Sequence, residues 1–165
     1  MKPTGRRLTL KGRPERNPIN TIVNNGYQLT PIFIDDRAGY GWKITGINSW
    51  VIPGKDIEPY ALYTTVPQDY STGVAFGLNV LNTGENDNAM VGCLITSVPT
   101  GPGPGVPIVE GVIDKDHVIV NQLSLLYLED DDPGYIVYLE EYEISDREEI
   151  AYKIKEIGQS IDPVE

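Results

Sequence analysis

Short apolar segments, separated by turn-forming residues, follow one another through most of the chain. Segments such as PIFID, AMVGCLITSV and YIVYLEEYEI are rich in β-branched and aromatic residues, which favour strands. Asn25-Gly26 and the acidic, Pro-Gly-containing stretch 130–134 stand between such segments and suit tight turns. The pattern contains about eight or nine segments without intervening helices, which predicts an all-β protein of antiparallel strands arranged as a sandwich, jelly roll or barrel.

The segment YGWKITGINSWVI shows a break in its strand pattern. Trp42 and Ile44 share one parity, whereas Ile47 falls on the other. Since side chains alternate between the two faces of a strand, such a change predicts a bulge or bend near Gly46.

The segment ISDREEIAYKIKEIG has a helical period. Ser145 and Glu148 have the spacing of a capping box at the helix start. Ile150, Ile154 and Ile157 recur at i, i+4 and i+7 and form one apolar stripe. We therefore predict a short amphipathic helix near the C-terminus that docks this stripe on its own body or on a neighbouring copy.

The first sixteen residues, MKPTGRRLTLKGRPER, differ in charge from the rest of the chain. They carry six basic residues and one acid, which gives +5, while residues 17–165 carry seven basic and twenty-three acidic residues, which gives −16. We predict three parts: a flexible basic arm at 1–18, a β-sandwich at 19–143, and a C-terminal helix and tail at 144–165. The residues expected to contact nucleic acid or an adjacent acidic subunit are Arg6, Arg7, Lys11, Arg13 and Arg16.

Groups that could carry catalysis are few. Cys93 lies in an apolar segment and is expected to be an inert, buried thiol. The single histidine, His117, is expected to be partly exposed at the start of a strand, and a cupin-type metal site normally needs more histidines than this. Asp114 and Asp116 are the acids best placed to share a calcium site, although solvated turns explain most acid clusters here. We expect no cofactor, no metal centre and no enzymatic activity.

An aromatic, sugar-binding face is the alternative that the composition leaves open. Stacking on a carbohydrate could use aromatic side chains of neighbouring strands, and the candidates are Trp42, Trp50, Tyr60, Tyr63 and Tyr70. Half-buried packing within the sheets is the more common role of such residues. In the sugar-binding case the protein would be a carbohydrate- or receptor-binding module of a fibre or cell surface.

The basic arm, the series of short strands, the loop PTGPGPGVP and the ending VIVNQLSLLYLEDDDPGYIVYLEEYEISDREEIAYKIKEIGQ resemble single jelly-roll capsid proteins of non-tailed or icosahedral viruses and phages. The resemblance implies an antiparallel jelly roll of about eight strands and location in a virion. It also implies self-assembly of many copies into a shell, with other virion proteins and nucleic acid as further partners. We expect no membrane span, because no run of 18 apolar residues occurs.

Overall fold

The computed structural model of the protein describes residues 1–13, 21–23, 27–35, 37–50, 57–64, 90–97, 103, 108–128 and 133–157. Within these ranges the chain forms nine strands and one helix. The strands are β1 (Lys2–Gly12), β2 (Thr21–Val23), β3 (Tyr27–Ile34), β4 (Tyr40–Ser49), β5 (Tyr60–Tyr63), β6 (Met90–Ser97), β7 (Ile108–Ile113), β8 (Gln122–Leu128) and β9 (Tyr135–Glu143). The helix is α1 (Asp146–Ile157).

The strands form two antiparallel sheets. The smaller sheet has the order β1-β9-β4, and the larger has the order β2-β3-β8-β5-β6-β7. Every strand pairing within them is antiparallel. The prediction of a mainly β protein with antiparallel strands and one C-terminal helix is therefore confirmed.

One hydrophobic core lies between the sheets. Ile44, Val137 and Leu139 reach it from the smaller sheet, and Leu62 and Leu125 reach it from the larger one. On β9 the inward residues Val137 and Leu139 alternate with Tyr138, which is exposed. This alternation is what one buried and one solvated sheet face require.

The break in the pattern of β4 is a β-bulge, as predicted. The register between β4 and β9 shifts between Ile44 and Gly46. The additional residue in the bulge turns the side chain of Ile47 to the inward face of β4, where it packs against the core. A side chain at position 46 would contact the ring of Tyr138, because a Cβ built on Gly46 lies 3.1 Å from Tyr138 Cδ2.

Residues 2–12 differ from the predicted flexible arm. They form β1 and pair along β9, from Lys2 opposite Glu143 to Gly12 opposite Tyr135. The prediction was wrong here because it weighed charge and Gly/Pro content and overlooked LTL, in which Leu8 and Leu10 pack against the core. Residues 14–18, the remainder of the predicted arm, lie outside the described part of the chain, and the domain boundaries stay predictions.

The helix begins with the predicted capping box. The backbone N–H of Ser145 donates to Glu148 Oε2 at 2.8 Å, and the N–H of Glu148 donates to Ser145 Oγ at 3.3 Å. Within the described residues, no helix combines the length and apolar character needed to cross a membrane. Several predicted features lie outside these residues: the strand GVAFGLNVL, the turn Asn25-Gly26, nearly all of the loop 99–107, and Tyr70.

Candidate assembly surface

The two faces of β1 have opposite character. Leu8 and Leu10 point toward the core, so Arg7, Thr9 and Lys11 lie on the outer face by the two-residue alternation of a strand. The side chain of Arg7 is 82% exposed, and its Nε lies 3.8 Å from Oε1 of Glu140 on the neighbouring strand β9. The outer face of the smaller sheet therefore presents basic groups at the edge strand.

Lys11 is held against an aromatic ring. Its Nζ lies 3.1 Å from the ring centroid of Trp50, a contact that combines a cation with the negative face of the ring. Of the other predicted basic contacts, Arg13 follows β1 and is partly buried, and Arg16 lies outside the described residues. The structure thus places Arg7 and Lys11 on one exposed face.

Arg6 pairs with a buried carboxylate of its own chain, although its own side chain is 62% exposed. Its Nη1 donates to Glu141 Oε2 at 3.0 Å, and Thr4 Oγ1 donates to Glu141 Oε1 at 2.8 Å. Glu141 is only 1% exposed, so its charge needs these donors to offset the loss of water. A bulge in β1 between Pro3 and Arg7 carries Gly5 at a φ of +85°, a conformation that favours glycine.

Arg37 completes the ion-pair network around Glu141. Its Nη2 donates to Glu141 Oε2, and its Nε and Nη2 donate to the two oxygens of Asp35 at 3.1 and 3.0 Å. Trp42 Nε1 also donates to Asp35 Oδ2, at 2.7 Å. The network therefore joins β1, β9, β4 and the turn between β3 and β4.

The network changes the acidity of both carboxyl groups. The hydrogen bond from Arg37 lowers the pKa of Asp35 to about 2, against the opposing effect of burial. Burial alone would raise the pKa of Glu141, but hydrogen bonds from Arg37 and Thr4 and the charges of Arg37 and Arg6 outweigh it and lower the pKa. Both groups are therefore ionised at neutral pH.

The helix is attached to the body by one side. The ring of Tyr152 packs on a second apolar cluster formed by Val118, Val120 and Ile144. Glu149 Oε2 accepts a hydrogen bond from the backbone N–H of Gly39 at 3.0 Å. On the same side, Lys155 Nζ donates to Asp114 Oδ2 at 3.1 Å.

Two of the three residues in the predicted isoleucine stripe do not dock on the protein's own body. Ile150 is 58% exposed and Ile154 is 61% exposed; the side chain of Ile157 lies outside the described residues. Docking on the same chain is therefore wrong for Ile150 and Ile154, because Tyr152 occupies the body-facing side instead. Docking on a neighbouring copy stays a prediction.

The candidate reactive groups are buried or engaged in structural contacts. Cys93 is fully buried, and burial raises the pKa of its thiol to about 11, which suppresses the nucleophilic thiolate. His117 is 2% exposed, contrary to the prediction, because it lies beside the Val118 cluster, with its ring centroid 6.1 Å from that of Tyr152. These two groups therefore lie away from solvent.

The acidic and aromatic candidates also have structural contacts. Asp114 binds Lys155 and accepts a hydrogen bond from the N–H of Asp116. Among the residues that the structure describes, no group of three or more His, Cys, Asp or Glu is arranged to hold a metal ion. Trp42, Tyr60 and Tyr63 are buried, so these three side chains have the favoured packing role, and the alternative of sugar stacking is wrong for them.

The Glu141 network was missed at the level of sequence, although a signal was present. Glu141 has the same strand parity as Val137 and Leu139, which marks it as an inward-facing charge on a buried strand face. Such a charge requires a partner, and both Arg6 and Arg37 were available. Their pairing could not be read from spacing, because they are 135 and 104 positions away.

Comparison with known proteins gives no relative: no protein-family model, no curated protein and no solved structure matches the chain. The function must therefore be argued from the fold and the surface themselves.

Proposed function

We propose that the protein is a structural, non-enzymatic subunit that assembles with copies of itself into a shell, as a jelly-roll capsid protein of a virion does. The observation that carries this proposal is the exposed apolar stripe of α1. A helix held to its body by one side, with Ile150 and Ile154 in solvent on the other, leaves apolar surface for another molecule.

The strand order supports a jelly roll. When the short strand β2 is set aside, six of the eight remaining strands form nested pairs like those of a rolled hairpin: β1 pairs with β9, β3 with β8, and β5 with β6. β7 pairs with β6 in the larger sheet, whereas the fourth pair of this nesting would be β4 with β7. These strands come close where Gly111 faces Ile47, since an ideal Cβ on Gly111 would lie 3.3 Å from the Ile47 carbonyl oxygen. Nested pairs of this kind are typical of a jelly roll, and β7, which lies in the larger sheet, is the strand that departs from that arrangement.

The location of charge supports a role in assembly rather than in binding a small molecule. Arg7 and Lys11 lie on the outer face of the smaller sheet in a chain of net charge −11. Cations on such a face can contact acidic surface of a neighbouring copy or the phosphates of a packaged nucleic acid.

The test is the size of the purified full chain in solution. Light scattering after size-exclusion chromatography, with electron microscopy of the same fractions, should detect a large closed particle. Protein freed of nucleic acid before assembly separates the two contacts: particles that form without nucleic acid use neighbouring subunits, and particles that form only when nucleic acid is added use its phosphates. A chain that stays monomeric at all concentrations, with and without nucleic acid, would overturn the proposal.

A further inference from the structure

Tyr138 is the exposed one among the aromatic side chains whose burial the structure describes, with 42% of its surface in solvent. It lies on β9, the central strand of the smaller sheet, between the inward-facing Val137 and Leu139. Its direct neighbours on the flanking strands are Thr9 of β1 and Gly46 of β4. Because one neighbour is short and the other has no side chain, the outward side of the ring is left open.

The positions diagonal to Tyr138 on the two flanking strands are polar. Diagonal positions on antiparallel strands lie about 7–8 Å apart, within reach of long side chains. On β1 these positions hold Arg7 and Lys11, and on β4 they hold Lys43 and Asn48. All four lie on the outward face, because a neighbour of each in its strand packs against the core. Three cations and one amide therefore surround the exposed ring.

The two lysines keep their charge for a ligand, because their contacts are with neutral groups. Lys11 Nζ lies over the ring of Trp50, and Lys43 Nζ donates to the carbonyl oxygen of Lys115 at 3.3 Å. Neither contact neutralises an ammonium group.

Arg7 has an acidic neighbour, Glu140, but the pair is loose. Their closest atoms are 3.8 Å apart, and Arg7 remains 82% exposed. Glu140 is the one acid among the outward-facing residues of β1, β9 and β4 from Arg7 to Lys11 and opposite them. Three cations and one acid give this face a charge of +2, in a chain whose net charge is −11.

The helix covers the outward side of the smaller sheet at one end. Tyr142 of β9 packs in the same apolar cluster as Tyr152 of α1. A Cβ built on Gly41, the partner of Tyr142 on β4, would overlap Val118 of that cluster. The part of the sheet around Tyr138 lies beyond this cover and is accessible to solvent.

We propose that this face binds single-stranded nucleic acid, with an unpaired base stacked on the ring of Tyr138 and backbone phosphates on the three surrounding cations. The inference rests on the proposed function and names the partner of Arg7 and Lys11, which that function assigns to assembly. A basic surface with an aromatic platform is the usual means of binding single strands, and it tolerates any sequence because every base has an aromatic face.

Each alternative ligand leaves part of this face unused. The acidic surface of a neighbouring copy would occupy the cations but gives the exposed ring no partner. A carbohydrate could stack on the ring, but an uncharged sugar has no use for three cations. A duplex offers phosphates but keeps its bases stacked inside, whereas an unpaired base is free to stack on a side chain.

Substitutions of Tyr138 in the full chain test the stacking. The probe is a fluorescein-labelled oligothymidylate of about 16 nucleotides, and its binding is followed by fluorescence anisotropy. Tyr138→Leu should weaken binding at least about fivefold, because it keeps apolar bulk but removes the aromatic ring. Tyr138→Phe should bind within about twofold of the wild type, since the ring is retained. Equal affinities of the two variants would overturn the stacked base, and circular dichroism melts check that both fold.

Glutamine in place of Arg7, Lys11 or Lys43 tests the phosphate contacts. Each phosphate contact on a single strand contributes about 0.7 to the slope of log affinity against log salt, so each substitution should lower the slope by about this amount. Lys153→Gln is the matched control, because it removes the same charge from an exposed position on α1 and should leave the slope unchanged. An equal fall for Lys153→Gln would show that net charge alone governs binding and would overturn the site.

Competition identifies the class of ligand. Unlabelled oligothymidylate and oligouridylate should both displace the probe, and the ratio of their affinities shows whether DNA or RNA is preferred. A duplex of the same length and poly-glutamate of the same charge should displace it less well, because neither offers an unpaired base. Equal displacement by the duplex would overturn the stacked base, and equal displacement by poly-glutamate would overturn the nucleic-acid assignment in favour of the acidic surface of a neighbouring copy.

The same measurements separate this inference from the proposed function. A chain that forms large particles but binds neither oligonucleotide would overturn the nucleic-acid site and leave the shell function standing. A chain that binds them through Tyr138 but stays monomeric at all concentrations would overturn the shell function and support the site.

Discussion

At the scale of single residues, Glu141 is the one carboxylate that is buried in the described part of the chain. A carboxylate that is 1% exposed loses most of its hydration, and that loss is offset only when charged or hydroxyl donors replace the water. Thr4 and Arg6 on β1 and Arg37 in the turn before β4 provide those donors from two separate parts of the chain. The network therefore ties the N-terminal strand and the turn before β4 to the central strand of the smaller sheet.

Replacing Glu141 by Gln should lower the free energy of unfolding by about 2 kcal/mol, because it removes charge-assisted hydrogen bonds at a buried site. Glu140→Gln is the matched control one position away: Glu140 faces outward and its partner Arg7 is exposed, so the loss should be at most about 0.5 kcal/mol. Urea denaturation of the two variants measures both values. A smaller effect for Glu141→Gln than for Glu140→Gln would contradict the importance of the network.

The same carboxylates predict acid sensitivity. Folding lowers the pKa of Glu141 and lowers that of Asp35 to about 2, so their stabilisation is complete above the unfolded values near pH 4 and is lost as the pH falls toward 2. Urea midpoints between pH 6 and pH 2.5 should fall more steeply for the wild type than for Glu141→Gln, which has one of the two groups removed. If the urea midpoints of the two proteins fell in parallel with pH, Glu141 would have the same pKa in the folded and unfolded states.

At the scale of elements, β1 combines a core-forming face with a charged face. Leu8→Ala should cost about 1–2 kcal/mol, because Leu8 is partly buried against the core. Thr9→Ala, at the exposed neighbouring position, should cost less than about 0.5 kcal/mol. Thermal or urea melts of the two variants measure this difference, and equal, negligible losses would mean that the segment behaves as the mobile arm that its composition predicts.

Local signals predicted the elements, and longer-range packing decided how they are used. The parity change around Gly46 and the Ser145–Glu148 spacing each reflect interactions within a few residues, and both predictions are confirmed. β1 was not predicted because its ordering energy comes from β9, more than a hundred residues away. Likewise, the stripe at Ile150 and Ile154 was found correctly, but which side of the helix meets the body depends on Tyr152 and its distant cluster.

At the scale of the whole molecule, the sequence predicted the class of fold without the strand order. Alternation of apolar and polar residues determines that strands have a buried face, but the pairing of β1 with β9 and of β3 with β8 depends on contacts distant in the chain. The candidate assembly surface has the same origin, because the exposure of Ile150 and Ile154 is a property of the packed molecule.

Net charge should control how readily copies associate. Each chain carries −11, and this repulsion acts over about 30 Å at 0.01 M salt but only about 8 Å at 0.15 M. In the proposed assembly, contacts of Arg7 and Lys11 with an acidic neighbour would oppose this repulsion, but the net charge of −11 already includes both cations.

We therefore expect self-association, followed by light scattering, to strengthen when salt is raised from about 0.01 M to about 0.15 M. Ile150→Glu should remain weaker than the wild type at both concentrations, because its loss is chiefly of apolar contact, which salt does not restore. Association that weakens with salt would instead show that attraction between cations and the acidic surface of neighbouring copies outweighs the net repulsion.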